Sequence, residues 1–463
     1  MRPTLLTLLL AATLAAQSRL TPGNQPFLAF EQPVIALRHA RVIDGTGAEP
    51  RLDQTVLIDH GKIVLVENSA TAATPANALV VDLSGKTLIP GLVGMHEHLF
   101  YPADSGTPLY TELAVTFPRL YLAGGVTTGR TAGSVEPVTD LEVAKLIDAG
   151  KLPGPALFVT VGYLEGKGSF TPQMHELSGP DDARRFVEYW ASQGATSFKA
   201  YMHITHDELR AAIQAAHARR LTVAGHLCSV GFREAAELGI DSLEHGIVVD
   251  AEFEPGKQPD TCVPTVLDTL DVHSDGVQQM IADLVRHHVA VTSTLAVFEA
   301  APPLEQRFLD ALSPVTLVHY LERRARQTPA DAARSLQRVQ KEMQFERAFV
   351  SAGGLLMAGA DPTGNGSTLA GFGDQRNLEL LVQAGFRPVE AIRIATLNGA
   401  KFLGIDQRVG SIAAGKQADL VVIDGDPSAR ISDIKKVQYV FKNGLGYDAA
   451  KLIESVRGSV GLQ

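Results

Sequence analysis

The chain has 463 residues, 45% of them hydrophobic and 20% charged, proportions ordinary for a folded protein with a large core. Its formal charge of -10 comes with no basic stripe long enough to follow a nucleic-acid backbone, which excludes that class of partner. Clusters such as Arg323-Arg324-Ala325-Arg326 sit among helix formers and read as a solvated helix face.

In chain order, residues 1–17 read as a signal peptide. Met1-Arg2 supplies a positive start, Leu5 to Ala16 an apolar run, and Ala15-Ala16-Gln17 small residues for cleavage. The run is shorter than the ~20 apolar residues of a membrane span. A mature protein exported to a periplasm or beyond is expected, free of the membrane after processing. The two cysteines, Cys228 and Cys262, suit either compartment and suggest no disulfide framework; Cys228 reads as a packed thiol. Residues 24–90 read as short strands with tight turns, among them the hairpin signal Asp59-His60-Gly61-Lys62. The same texture returns over 409–463, in Leu420-Val421-Val422-Ile423 and Val437 to Phe441. Neither stretch is large enough alone, so both ends are predicted to form one small discontinuous β-sandwich domain whose halves cover each other's strand edges.

Between them, residues 91–408 alternate strand and helix. Strand candidates end near His98, Arg130, Tyr163, Lys199, His226, His245, Leu295 and Asp361. Alanine-rich amphipathic stretches separate them, one opened by Thr205 and Glu208 at capping-box spacing. This pattern predicts an α/β fold, a TIM (β/α)8 barrel, with a helical insertion from Val297 to Ser351.

Five of these strand ends carry chemistry. His96 and His98 are two apart, so on a strand both imidazoles leave the same face, a clamp suited to zinc or a similar divalent metal. Glu97 points the other way. Lys199 lies in the apolar run Ala195 to Tyr201, where a free ammonium is costly to bury. It either reaches a loop or a carboxylate, or takes up CO2 as a carbamate that bridges two metals. His226 and His245 end successive strands, and Asp361 ends the last, where a carboxylate can bind metal and accept a proton.

Together with Leu88-Ile89-Pro90-Gly91-Leu92-Val93-Gly94-Met95-His96-Glu97-His98, Gly125-Val126-Thr127-Thr128 and Gly410 to Leu420, these residues resemble the amidohydrolase superfamily. The likeness is to its urease and dihydroorotase branch, and there to imidazolonepropionase-like and prolidase-like secreted amidohydrolases. The resemblance implies two divalent ions, with zinc the expected metal. His96, His98 and Asp361 would hold one, His226 and His245 the other, and carboxylated Lys199 would bridge them with a hydroxide. It further implies attack of that hydroxide on an amide, peptide-like or cyclic amide bond, with dipeptides and N-acyl amino acids as candidate substrates. Two departures touch the substrate side. Arg130-Thr131-Ala132-Gly133 replaces the Arg-Asp-x-Gly of many relatives, and Gly162-Tyr163-Leu164-Glu165-Gly166-Lys167-Gly168 replaces a glycine-histidine-glycine loop. Arg130, Tyr163, Tyr201 and His203 are the candidate substrate contacts, with pairing to Glu97 the structural reading of Arg130. Competing readings are a deaminase of a heterocycle or a lactone or ester hydrolase on the same barrel, and a non-catalytic binding protein. A small-molecule partner is expected, and a homo-oligomer is left open.

Overall fold

The computed structural model describes residues 21–103, 108–265, 267, 269–300, 302–363 and 366–462. The expected signal peptide lies outside the described residues. Eight parallel strands follow in chain order: Leu92–Glu97, Val126–Thr131, Thr160–Leu164, Ser197–Ala200, Thr222–Gly225, Ser242–Glu244, Ala290–Ser293 and Leu356–Ala358. Each predicted strand end falls within a few residues of an observed one.

From the third strand to the eighth, every neighbour pair is hydrogen-bonded in parallel register, forming one six-stranded sheet. The first and second strands pair in a separate three-stranded sheet, completed by the short strand Ala156–Phe158. The third strand is therefore split at Val159. Its first half pairs with the second strand and its second half with the fourth. Side chains bridge the split, since the Thr160 N–H donates to Thr131 Oγ1 at 2.8 Å and that hydroxyl donates to the Thr160 carbonyl at 3.0 Å.

At the other end, the Asp361 N–H donates to the His96 carbonyl at 2.9 Å, so the last strand meets the first. Glycine is required there. A Cβ on Gly359 would stand 2.3 Å from the His96 nitrogen, an approach no side chain permits.

Helices form where the sequence caps them. Thr205 accepts from the Glu208 N–H and Glu208 returns the bond, opening His206–Ala218. The insertion after the seventh strand comprises Gln306–Ala311, Pro314–Arg326 and Pro329–Ser351, the last opened by a Thr328–Asp331 box. No helix among the described residues is long and apolar enough to cross a membrane.

Both chain ends contribute to one mixed nine-stranded sheet. Its order runs Leu28–Phe30, Leu445–Asp448, Val437–Lys442, Leu420–Ile423, Thr87–Pro90, Val34–Val42, Arg51–Asp59 and Lys62–Asn68, with Leu79–Asp82 beside Val34–Val42. The join is Leu420–Ile423 against Thr87–Pro90, antiparallel over four residue pairs. Within Val34–Val42, Ile35 and Leu37 enter one apolar cluster while Val34 and Ala36 enter another, so the period of two buries both faces.

Candidate metal centre

The first parallel strand is buried from end to end, and it delivers His96 and His98 to the same side. Each ring is held by its Nδ1. That of His96 lies 2.6 Å from Glu244 Oε2, and that of His98 lies 3.0 Å from the Gly133 carbonyl oxygen. Acceptors at both positions make Nδ1 the donor and leave each Nε2 with its lone pair. Both lone pairs face Asp361: His96 Nε2 is 3.8 Å from Oδ2 and His98 Nε2 is 3.5 Å from Oδ1. One ligand atom from each of the three residues falls within 4.8 Å of the others.

The remaining members sit beside this triad. His245 Nδ1 lies 2.7 Å from the Thr294 hydroxyl and 3.7 Å from Asp361 Oδ2. The His226 ring is centred 4.6 Å from that of His245. Lys199, His226 and His245 line the same cavity of about 290 Å³ as the triad. Asp361 and His245 adopt left-handed backbone angles, φ 45° and 69°, and Leu227, next to His226, has φ 54°. Such conformations cost non-glycine residues of order 1 kcal/mol each and gather at functional sites.

Electrostatics suit a cation. Burial, aided by the Lys199 charge, lowers the His96 pKa to about 4, and burial and neighbouring imidazoles push His226 and His245 well below their ordinary value. These rings are therefore neutral, as ligands must be. Burial opposes ionisation of Asp361, yet His96, His98 and His245 hold its carboxyl well below the usual range. Burial likewise depresses Lys199 to about 8, against the opposing pull of Glu244 and Asp361. Neutral imidazoles, an ionised carboxylate and a reactive buried amine converging on one cavity are the donor set that divalent metals take, so the residues present fit the implied group.

Tyr163 and Tyr201 line this cavity as expected. Arg130 does not. It is buried, donates to the Met95 carbonyl through Nε at 2.9 Å and to Ser242 Oγ at 3.1 Å, and meets Glu244 Oε1 at 2.5 Å. Its partner is thus Glu244 rather than Glu97, and its role is to brace His96 from behind. The Glu97 carboxyl instead accepts the Ala360 N–H at 3.4 Å, and burial together with the neighbouring Asp374 carboxyl raises its pKa well above the ordinary value. His203 is also displaced from its expected place. Its backbone N–H donates to Glu165 Oε1 at 2.7 Å, its ring Nδ1 lies 3.5 Å from the same oxygen, and it is not among the cavity's lining residues. Cys228 is not a packed thiol but is joined to Cys262 in a disulfide. Sequence reasoning missed Glu244, although a carboxylate just before a ligand histidine, in a strand buried on both faces, is a readable signal. It also missed the aromatic wall formed by Phe100, Tyr110, Phe170 and Phe298, which comes from the short paired strands Phe100–Pro102 and Tyr110–Glu112, the 3-10 turn Leu295–Phe298 and a loop, all too short to show a period.

The geometry defines a candidate metal centre at the C-terminal ends of parallel strands. The chain belongs to the amidohydrolase family, whose model matches residues 87–445. It is 29% identical to a dihydroorotase of Streptomyces coelicolor over 296 residues, 62% of this chain and 60% of that protein, so it spans less than two thirds of that relative. Among solved structures, it resembles a Bifidobacterium longum protein provisionally described as a prolidase (25% identity, TM-score 0.67, 91% of this chain and 98% of that one). A Xaa-Pro dipeptidase with bound methionine shares the fold at 21% identity and TM-score 0.68, covering 90% of this chain and 100% of that one. Family and neighbours imply a TIM barrel with a second domain.

Proposed function

We propose that this protein is a binuclear metal-dependent amidohydrolase that cleaves a C–N bond of a small amide, peptide-like or cyclic amide. The observation that carries the reading is the convergence of His96, His98 and Asp361 beside buried Lys199, His226 and His245. His96, His98 and Asp361 would hold one divalent ion, His226 and His245 the second, and Lys199, carboxylated by CO2, would span both. When bound, such ions, zinc in this reading, polarise the scissile carbonyl and acidify water.

The chain's own groups supply the rest. The Lys199 pKa of about 8 leaves a neutral-amine fraction at physiological pH, and only that form adds CO2, releasing one proton as the carbamate forms. Asp361 is ionised and faces the cavity, so its carboxylate can take a proton from water and deliver it to the departing amine. Glu244, fixed by Arg130, keeps His96 in the Nδ1–H tautomer. Neutral phenols of Tyr163 and Tyr201 are placed to donate to a substrate oxygen.

We assign residues 91–408 to the barrel, and 24–90 with 409–463 to the small β domain, a sandwich in this reading. We also place the mature protein outside the cytoplasm. The Cys228–Cys262 disulfide supports this, because such bonds persist in oxidising compartments.

The test is metal stoichiometry beside turnover. Protein produced with zinc and bicarbonate should carry close to two ions per chain and hydrolyse members of an amide panel. Lys199→Ala should lose at least one ion. Two ions retained in that variant would remove the carbamate from the scheme, and an inactive, metal-free wild type would remove the enzyme.

A further inference from the structure

The cavity above the ligands is small and walled by rings. Its volume of about 290 Å³ stands at the lower limit of ligand pockets, which span ~300–1,000 Å³. Phe100, Tyr110, Tyr163, Phe170, Tyr201 and Phe298 line it. The rings form a connected arc: Phe100 to Tyr110 at 5.1 Å, Tyr110 to Phe170 at 6.2 Å, Phe170 to Tyr201 at 6.0 Å and Tyr201 to Tyr163 at 4.8 Å between centroids. Tyr201 then reaches the His226 ring at 4.8 Å, and Phe298 stands edge-on to His245 at 5.6 Å, so the arc begins at the ligands themselves. Three of its six rings carry hydroxyls, which donate to a carbonyl without carrying charge.

The cationic side chain expected to receive a substrate carboxylate is engaged elsewhere. Arg130 is consumed by Glu244, Ser242 and the Met95 carbonyl behind the ligands. Among the described residues that line the cavity there is no arginine, and Lys199 is the only lysine. A carboxylate on the substrate would exchange water for aromatic rings with no arginine to pair it, a desolvation cost that neutral hydroxyls offset only in part.

We propose that the substrate is a small uncharged amide bearing an aromatic ring, and that a free carboxylate next to the scissile bond is selected against. This rests on the amidohydrolase reading above and narrows it. Dipeptides and N-acyl amino acids are then the disfavoured members of the class, and aryl or arylalkyl amides and aromatic lactams the favoured ones.

The test uses zinc-loaded, full-length protein and three compounds. N-benzoylphenethylamine and N-benzoylphenylalanine differ only by the carboxylate, and N-acetylbutylamine is neutral without a ring. Hydrolysis is followed by amine release, and binding of the same compounds by calorimetry. The neutral aromatic amide should exceed its carboxylated partner by at least ~10-fold in kcat/KM or affinity. It should exceed the aliphatic amide by a similar factor. Phe170→Ala, at a partly exposed position, should leave the melting temperature near that of the parent and shrink the aromatic advantage by about 2–10-fold, the worth of one aromatic pair. Equal or better handling of the carboxylated or aliphatic compound overturns the inference, as does no detectable binding of any of the three. Preferential binding of the neutral aromatic amide with no turnover leaves the inference standing and refutes the hydrolase reading instead.

Discussion

In the proposed scheme Asp361 combines two duties, ligand and proton carrier, that a single substitution separates. Asp361→Asn keeps the size and one ligating oxygen but cannot hold the water proton at neutral pH. Metal content should fall only in part, while amide turnover falls by at least ~10²-fold, the lower range for a positioned general base. An activated ester, whose leaving group needs no proton, should suffer less; equal loss on both substrates would place the proton elsewhere. Glu244 acts at one remove. Its carboxylate fixes His96 and balances the buried Arg130, so Glu244→Gln should weaken metal affinity by about 10–100-fold, read by chelator competition. Unchanged affinity would mean that the ring holds its orientation without it. The convergence of His96, His98 and Asp361 was legible in the sequence because strand geometry couples spacing to direction. His96 and His98 at i and i+2 had to share a face. Arg130 and His203 were not legible in the same way, since strand position tells where a side chain starts and not which of several carboxylates it meets. The aromatic wall left no trace for a related reason: its rings come from a hairpin and irregular turns, where nothing periodic links neighbours in space.

Elements add what the residues cannot hold alone. The long helix Pro329–Ser351 buries Glu342 and Glu346 against the strand ends, with Glu342 Oε2 accepting the Val248 N–H at 3.1 Å, three residues after His245. A Cβ on Gly246 would stand 1.8 Å from Glu342 Oε1, so glycine is needed for this contact. Burial raises the Glu346 pKa from an ordinary 4.5 to about 8, with the Ser293 hydroxyl partly opposing it. A carboxyl whose pKa is higher folded than unfolded stabilises the fold only while protonated. Its contribution is complete below pH ~4.5 and is lost as pH rises to about 8. Glu346→Gln stays neutral throughout. The melting temperature of that variant relative to the parent should therefore climb by several degrees between pH 5 and 8 and level off above. A difference independent of pH would show that Glu346 ionises freely in the folded protein. The disulfide is the other element-level device, tying the turn after His226 to a segment 34 residues onward. Closing a loop of that length is worth roughly 3–4 kcal/mol in the chain-entropy model, so Cys262→Ser should lower the melting temperature. Helix caps and strand ends were readable from local chemistry, but two cysteines separated by a helix and a strand gave no sign that their Cα atoms lie 4.9 Å apart.

On the scale of the whole molecule, the two chain ends are not appendages. Leu420–Ile423 pairs with Thr87–Pro90 on one side and Val437–Lys442 on the other, and the Gly91 N–H donates to the Asp419 carbonyl at 2.9 Å. One residue further on, Leu92 begins the strand that ends at His96 and Glu97. The mixed sheet therefore sets the entry of the first ligand strand, although its strands come from opposite ends of the sequence. That both ends belong together was legible from their shared texture of short strands and turns. Which of their strands pair was not, because partners more than 300 residues apart leave no mark on either segment. The consequence can be measured. Val422 faces Leu88 across one ladder and Tyr439 across the other. Val422→Pro removes an N–H and forces the chain out of register, at a cost of ~3 kcal/mol or more. A truncation after Val409 removes the whole C-terminal contribution. Both changes should open the segment before Pro90 to protease, and both should reduce metal occupancy at His96 and His98 without touching a ligand. The truncation should do so more completely. If either variant kept the parent's melting temperature and resisted cleavage across residues 34–90, the N-terminal strands would stand without their C-terminal partners, and the sheet would play no part in shaping the metal centre.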